Sequence, residues 1–120
     1  MRRDIRLRRS ADFDRVRASR STVAHPLLVL ARRRREDAGP ARVGIIVGRR
    51  LGHAAARNRV KRRLREAARA LYSSMASGWD VVLIARPAAR DATQADLVAA
   101  LRSLIHRAQD HRPVESGGSP

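Results

Sequence analysis

A single α+β domain is the fold class this sequence predicts, and three observations carry the prediction. The 120 residues, 43% of them hydrophobic, suffice for one core and leave little for a second. Three apolar runs, within residues 23–33, 42–49 and 79–85, have the length of strands. Two longer stretches, 53–75 and 94–110, repeat their apolar residues every three or four positions, as a helix buried on one side does.

Taken in order, residues 1–9 hold five Arg and one Asp without sustained periodicity. That is the pattern of an extended basic arm that orders only against a charged partner. Ser10 reads as the N-cap of a short helix ending near residue 18, with Asp12 and Asp14 beside the positive end of its dipole and Phe13, Val16 and Arg17 at helical spacing. Residues 23–33 form a strand, because Pro26 argues against a helix interior and the run Leu-Leu-Val-Leu-Ala31 is short. Glu36-Asp-Ala-Gly-Pro40 is turn chemistry and 42–49 a second strand, so the two are expected to pair as an antiparallel hairpin.

On that second strand Val43, Ile45 and Val47 share one face, while Gly44, Ile46 and Gly48 share the other. Two glycines on one face leave either a strip where a backbone or a flat base approaches, or room for a bulge or a closely packed helix. The stretch 53–75 is the best-defined helix, its stripe made of Val60, Leu64, Ala67, Ala68, Leu71 and Met75. Ser77-Gly78 ends it, 79–85 is a third strand, and Arg86-Pro87 closes that strand. Thr93 caps a final helix that buries Leu97, Leu101, Leu104 and Ile105 and runs to about Asp110. Residues 112–120 read as a disordered tail. The chain therefore divides into a basic arm (1–9), one domain (10–111) and a tail (112–120), without internal repeats.

Charge narrows the function. Lys plus Arg total 27 against 11 Asp plus Glu, a formal net charge of +16, far more than solubility asks of a domain this small. Lys61 is the only lysine; biased codon usage accounts for the Arg-to-Lys ratio but not for the excess of positive charge, which calls for a polyanion. The absence of cysteine excludes disulfides, thiolate metal sites and thiol nucleophiles. No apolar run is long enough to span a bilayer, and the basic start lacks the apolar block of a secretory signal, so a cytoplasmic protein with no membrane partner is expected. The four His are scattered and the acids lie mostly in turns and helix starts. No acid–base pair and no metal cage emerges, so neither catalytic nor metal-ligating residues are expected in the protein itself.

The cations concentrate on one helix. At about 100° per residue, Asn58, Arg62, Arg65 and Arg69 fall on one stripe opposite Val60, Leu64 and Leu71, with Lys61 and Arg59 flanking it. Spaced i, i+4, i+7 and i+11, they make a ridge of donors about 16 Å long, matching several successive phosphates. A solvated helix face ordinarily mixes signs, yet Arg57, Arg59, Lys61, Arg62, Arg63, Arg65 and Arg69 face a single acid, Glu66. Tolerated repulsion of that kind points to nucleic acid. Glu66 can pair with Arg62, Arg63 or Arg69. Arg57 falls at the azimuth of the apolar stripe, so it either reaches round the first turn or serves packing.

The segment Leu51-Gly-His-Ala-Ala-Ala-Arg57-Asn58-Arg59-Val-Lys61-Arg62-Arg-Leu-Arg65-Glu66 closely resembles the Arg-Asn-Arg motif helix of bacterial ribonuclease P proteins, with the spacing Gly-x-Ala-x-x-Arg-Asn-Arg-x-Lys-Arg-x-x-Arg-Glu. The likeness continues through Ser10-Ala-Asp-Phe13-Asp-Arg-Val16, His25-Pro26-Leu-Leu-Val-Leu, Val43-Gly-Ile and Asp80-Val-Val-Leu-Ile-Ala-Arg86-Pro87. It implies an α/β sandwich of order αβββαβα around a four-stranded sheet, with an extra short strand near Ser21 to Val23 and a left-handed βαβ crossover, against the general right-handed rule.

The resemblance further implies a protein subunit of an endoribonuclease that removes the 5′ leader of precursor tRNA, in which the RNA subunit carries out the hydrolysis and holds the catalytic Mg²⁺. Arg57, Asn58, Arg59, Lys61, Arg62 and Arg65 then face the catalytic RNA. Phe13 falls in a cleft for the single-stranded leader, and no obligate protein partner is expected. Relatives usually carry more aromatics in that cleft, where this chain has Arg17 and Ala31, so Arg17 stacking and phosphate contacts are expected to stand in; Phe13 itself could equally be a core residue. A structural RNA-binding protein of ribosomal type would share the charge and size but not the motif spacing. An architectural DNA-binding protein would need a dimer seam or a helix-turn-helix pair, and the chain has neither.

Overall fold

The segment Trp79–Ala85 is apolar at nearly every position, so it belongs where both faces of a sheet are covered. In the computed structural model, which describes residues 5–110, it does lie inside the sheet. The elements are α1 (Ser10–Ala18), β1 (Ser21–Ala24), β2 (Leu28–Arg34), β3 (Arg42–Ile46), α2 (Ala54–Leu71), β4 (Trp79–Ala85) and α3 (Gln94–Asp110), with single 3₁₀ turns at Arg49–Leu51, Tyr72–Ser74 and Pro87–Asp91. The sheet order is β1-β2-β4-β3. β2 runs antiparallel to both neighbours, and β3 is parallel to β4.

This is the expected αβββαβα order, but the expected hairpin between residues 23–33 and 42–49 does not form. β4 inserts between them, pairing Ala31 with Val82 on one side and Gly44 with Val82 on the other. The turn residues are used elsewhere: Gly78 N donates to Gly39 O at 2.7 Å and Arg35 N to Gly78 O at 2.7 Å, tying the β2–β3 connection to the start of β4. The expected first strand is also two strands. His25-Pro26 breaks it, with His25 N donating to Leu28 O at 2.8 Å, which delivers the short strand β1 that the family resemblance implied.

Strand alternation then sorts the side chains into two layers. Leu28, Leu30, Val43, Val81, Leu83 and Ala85 face α2 and α3 and form the main core with Val60, Leu64, Leu97, Leu101 and Leu104. Ala31 and Val82 point the other way and meet Val16 of α1 and Leu7. All six predicted stripe residues of the motif helix pack inward, Met75 only partly, since α2 stops at Leu71 and gives way to the 3₁₀ turn. Thr93 caps α3 as expected: its Oγ1 accepts from Asp96 N at 3.0 Å, and Asp96 Oδ2 accepts from Thr93 N at 3.2 Å.

Two further expectations are corrected. Arg9, not Ser10, occupies the N-cap of α1, and no side chain bonds there. Residues 5–9 do not await a charged partner: Ile5 and Leu7 are buried, and Leu7 N donates to Val43 O at 3.0 Å along the outer edge of β3. Apolar residues at alternate positions in this basic segment outweigh its charge. The rest of the predicted arm, residues 1–4, and the predicted tail, 112–120, lie outside the described residues.

Candidate RNA interface

The motif helix begins at His53, whose Nδ1 accepts from Ala56 N at 3.3 Å and so satisfies one of the first-turn donors. From that start, 18 residues of helix put Ala56, Val60, Leu64, Ala67, Ala68 and Leu71 inward and leave Asn58, Arg59, Arg62, Arg65 and Arg69 exposed. The predicted ridge is therefore formed. Lys61 is half-buried at its flank. Arg69 Nη2 sits 2.5 Å from Glu66 Oε1, so the lone acid pairs with the last arginine of the ridge and leaves Arg62 and Arg65 to other partners.

Two arginines of the run have other positions. Arg63 Nη1 donates to Ala92 O at 2.9 Å, and Gln94 Nε2 donates to Arg63 O at 3.0 Å, so Arg63 fastens α2 to the start of α3. Arg57 is half-buried, and its Nε is enclosed without a hydrogen-bond partner among the described residues. Its azimuth on the apolar stripe explains this: it is set apart from the outer ridge.

On the opposite face of the sheet, α1 lays Phe13 over β3. A Cβ on Gly44 would lie 2.5 Å from both Cε1 and Cζ of that ring and 3.1 Å from Leu7 Cβ. The glycine strip thus resolves into close helix packing at Gly44, while Gly48 lies open beyond the strand end. Beside the ring, cross-strand neighbours Val29, Ile84 and Ile46 form a half-buried apolar row on this face, with exposed Ala24 at its edge. Phe13 is itself half-buried, so it serves the small core and still lines this shallow surface. Arg17, one turn further along α1, is exposed.

At one end of that face sits the buried Asp80, 1% exposed. Its Oδ1 accepts from Arg35 Nη1 at 2.7 Å and from Arg42 Nε at 2.9 Å, and its Oδ2 from Arg42 Nη2 at 2.9 Å. Burial pushes the Asp80 pKa up, but the hydrogen bonds and charges of Arg42 and Arg35 outweigh it and hold the carboxyl below its ordinary value. Arg35 also donates to Asp37 Oδ1 at 3.0 Å, to Trp79 O at 3.0 Å and to Pro40 O at 2.9 Å. These groups are committed to pinning the β2–β3 connection. Sequence reasoning missed them, because nothing in a run of four arginines, 32–35, marks Arg35 as the one drawn to a buried acid. Among the described residues, no group of three or more His, Asp or Glu could hold a metal ion.

A family model described as Ribonuclease P matches residues 1–109. The chain belongs to the ribonuclease P protein family. It is 43% identical to the ribonuclease P protein component of Herpetosiphon aurantiacus over 114 residues, covering 91% of this chain and 88% of that one. The Staphylococcus aureus RNase P protein structure superposes with a TM-score of 0.80 at 30% identity, covering 88% of this chain and 95% of that one. That of Thermotoga maritima gives 0.76 at 27%, covering 85% and 96%. As a ribonuclease P protein component, the chain is a tRNA-processing subunit of an endoribonuclease ribonucleoprotein, and its partner is the ribonuclease P RNA. No helix among the described residues is long and apolar enough to cross a membrane.

Proposed function

We propose that the outer ridge of α2 seats the protein on the ribonuclease P RNA while the α1 face of the sheet takes the 5′ leader of precursor tRNA. The observation that carries this reading is the exposure of Asn58, Arg59, Arg62 and Arg65 on one side of a helix whose other side is fully packed. Guanidinium forks held on a rigid helix suit phosphate oxygens. Arg69 and Lys61 extend the ridge, and Arg57 contributes from its first turn. In the leader cleft, the half-buried ring of Phe13 offers an edge to a base, and Arg17 supplies charge one turn away.

The chemistry of hydrolysis belongs to the RNA on this reading. Mg²⁺ is the cofactor and the RNA its holder; the protein's carboxylates are paired with arginines, as Asp80 is, or scattered. What the protein supplies is neutralised phosphate charge and a grip on the leader, both of which lower the Mg²⁺ needed for assembly and substrate binding. The working compartment is the cytoplasm.

Reconstitution tests the assignment. Added to its cognate RNA subunit at low Mg²⁺, the purified protein restores 5′ cleavage of precursor tRNA, and alone it cleaves nothing. Failure of the wild-type protein to rescue cleavage overturns the reading.

A further inference from the structure

Among the described residues, Arg20 is the one residue other than glycine with a left-handed backbone, its φ at 60°. The turn demands it. α1 ends at Ala18 and β1 starts at Ser21, so Ser19 and Arg20 reverse the chain between them, and a left-handed residue just past a helix end does this. The corner is pinned from both sides: Ser19 Oγ lies 2.6 Å from Val16 O in α1 and 2.5 Å from Arg32 O in β2, and Ser21 pairs in register with Arg32. Glycine adopts this conformation freely, whereas the Cβ of an arginine is strained by it.

The fold draws nothing from this side chain. Arg20 is exposed, and its guanidinium has no hydrogen bond or ion pair among the described residues. A cation here faces the negative pole of the α1 dipole, but Arg15 and Arg17 already occupy the last turn. A strained residue without a structural partner points to function, and its position says which. Thr22 lies opposite Ala31 and Ala24 opposite Val29, and Ala31 points to α1. The exposed Thr22 and Ala24 therefore carry the α1 face outward along β1 from the apolar row of Val29, Ile84 and Ile46. Arg20 stands at the end of that path, two residues before Thr22. An RNA strand that follows the axis of α1 from Phe13 passes Arg17 one turn on and reaches Arg20 after about 10 Å.

We infer that Arg20 is a further substrate contact, binding a backbone phosphate of the single-stranded 5′ leader where it leaves the cleft at the end of α1. The strained backbone at this position is then kept for binding and not for stability. The inference rests on the reading of the α1 face as the leader cleft.

Holoenzyme reconstituted from the full-length protein and ribonuclease P RNA is titrated with precursor tRNA and, separately, with mature tRNA, for wild type, Arg20→Gly and Arg20→Lys. Arg20→Gly should bind precursor tRNA roughly 2- to 5-fold more weakly, the range for one exposed ionic contact, with a log–log salt slope lower by about 0.7, the value for one phosphate of a single strand. Arg20→Lys, which keeps the charge, should keep the slope, and mature tRNA should bind all three alike. In urea, Arg20→Gly should unfold at no lower a concentration than wild type, because glycine relaxes the left-handed backbone. Unchanged precursor affinity in Arg20→Gly, an equal loss with mature tRNA, or a lower urea midpoint overturns the inference, the last because the side chain then serves the fold. A wild-type holoenzyme that binds precursor and mature tRNA equally sinks the leader reading, whereas a wild type that prefers the precursor and an Arg20→Gly that keeps the same preference sink this inference alone.

Discussion

Gly44 lies directly beneath Phe13, so close that a Cβ at position 44 would come within 2.5 Å of two ring atoms. The depth at which α1 settles on the sheet is set there. A Gly44→Ala variant must push the ring and α1 outward, and overpacking of this kind costs about 1–3 kcal/mol. Chemical denaturation of Gly44→Ala against wild type measures the loss. Introducing Phe13→Ala as well should remove most of the Gly44→Ala penalty, because the clash partner is gone; additive losses would mean that residue 44 acts through something other than the ring.

The same ring is expected to be felt by substrate. Phe13→Ala should weaken binding of a precursor tRNA with a single-stranded leader by about 1–3 kcal/mol, the range for one base stacked on an aromatic. Mature tRNA, which has no leader, should bind wild type and variant alike. Equal losses for both substrates would place Phe13 in packing only.

How far the sequence could be read differs by element, for physical reasons. The stripes of α2 and α3 were legible because helical burial is periodic and local, and even the odd azimuth of Arg57 foretold its partial burial. Strand pairing was not legible. The turn residues 36–40 suit a hairpin, but the Gly39 carbonyl and the Arg35 amide just before the turn bond to Gly78, some forty positions away in the chain, and no local pattern encodes such a partner. At Gly44 the sequence allowed either a ligand strip or close packing, and only the position of Phe13 decides between them.

Asp80 shows the same limitation and has a pH signature. Its pKa is lowered in the folded protein by Arg42 and Arg35, so its ion pairs stabilise the fold fully above the unfolded-state value of about 3.9. That stabilisation is lost as pH falls through the lower folded value. Asp80→Asn removes the only carboxylate paired with Arg42 and leaves Arg35 with Asp37 alone, and should cost about 3–5 kcal/mol at neutral pH. Urea melts between pH 7 and pH 3 should show the gap between wild type and Asp80→Asn narrowing at the acid end. A constant gap would remove the carboxylate charge from the account.

Arg63 provides a contrast within the basic helix. Because its guanidinium donates to Ala92 O, Arg63→Ala should lower stability by about 1–3 kcal/mol while leaving the salt dependence of RNA binding unchanged. A flattened slope in this variant would mean that Arg63 contacts phosphate.

The central claim is that the outer ridge of α2 is the RNA interface, and the salt dependence of binding tests it most directly. Affinity of the purified protein for the ribonuclease P RNA is measured across a range of salt concentrations for wild type and for Arg62→Ala with Arg65→Ala. Both side chains are exposed, so the double variant should melt like wild type, bind more weakly, and show a log–log slope flatter by about two, one unit for each phosphate no longer neutralised. An unchanged slope and affinity in a folded double variant would contradict the account.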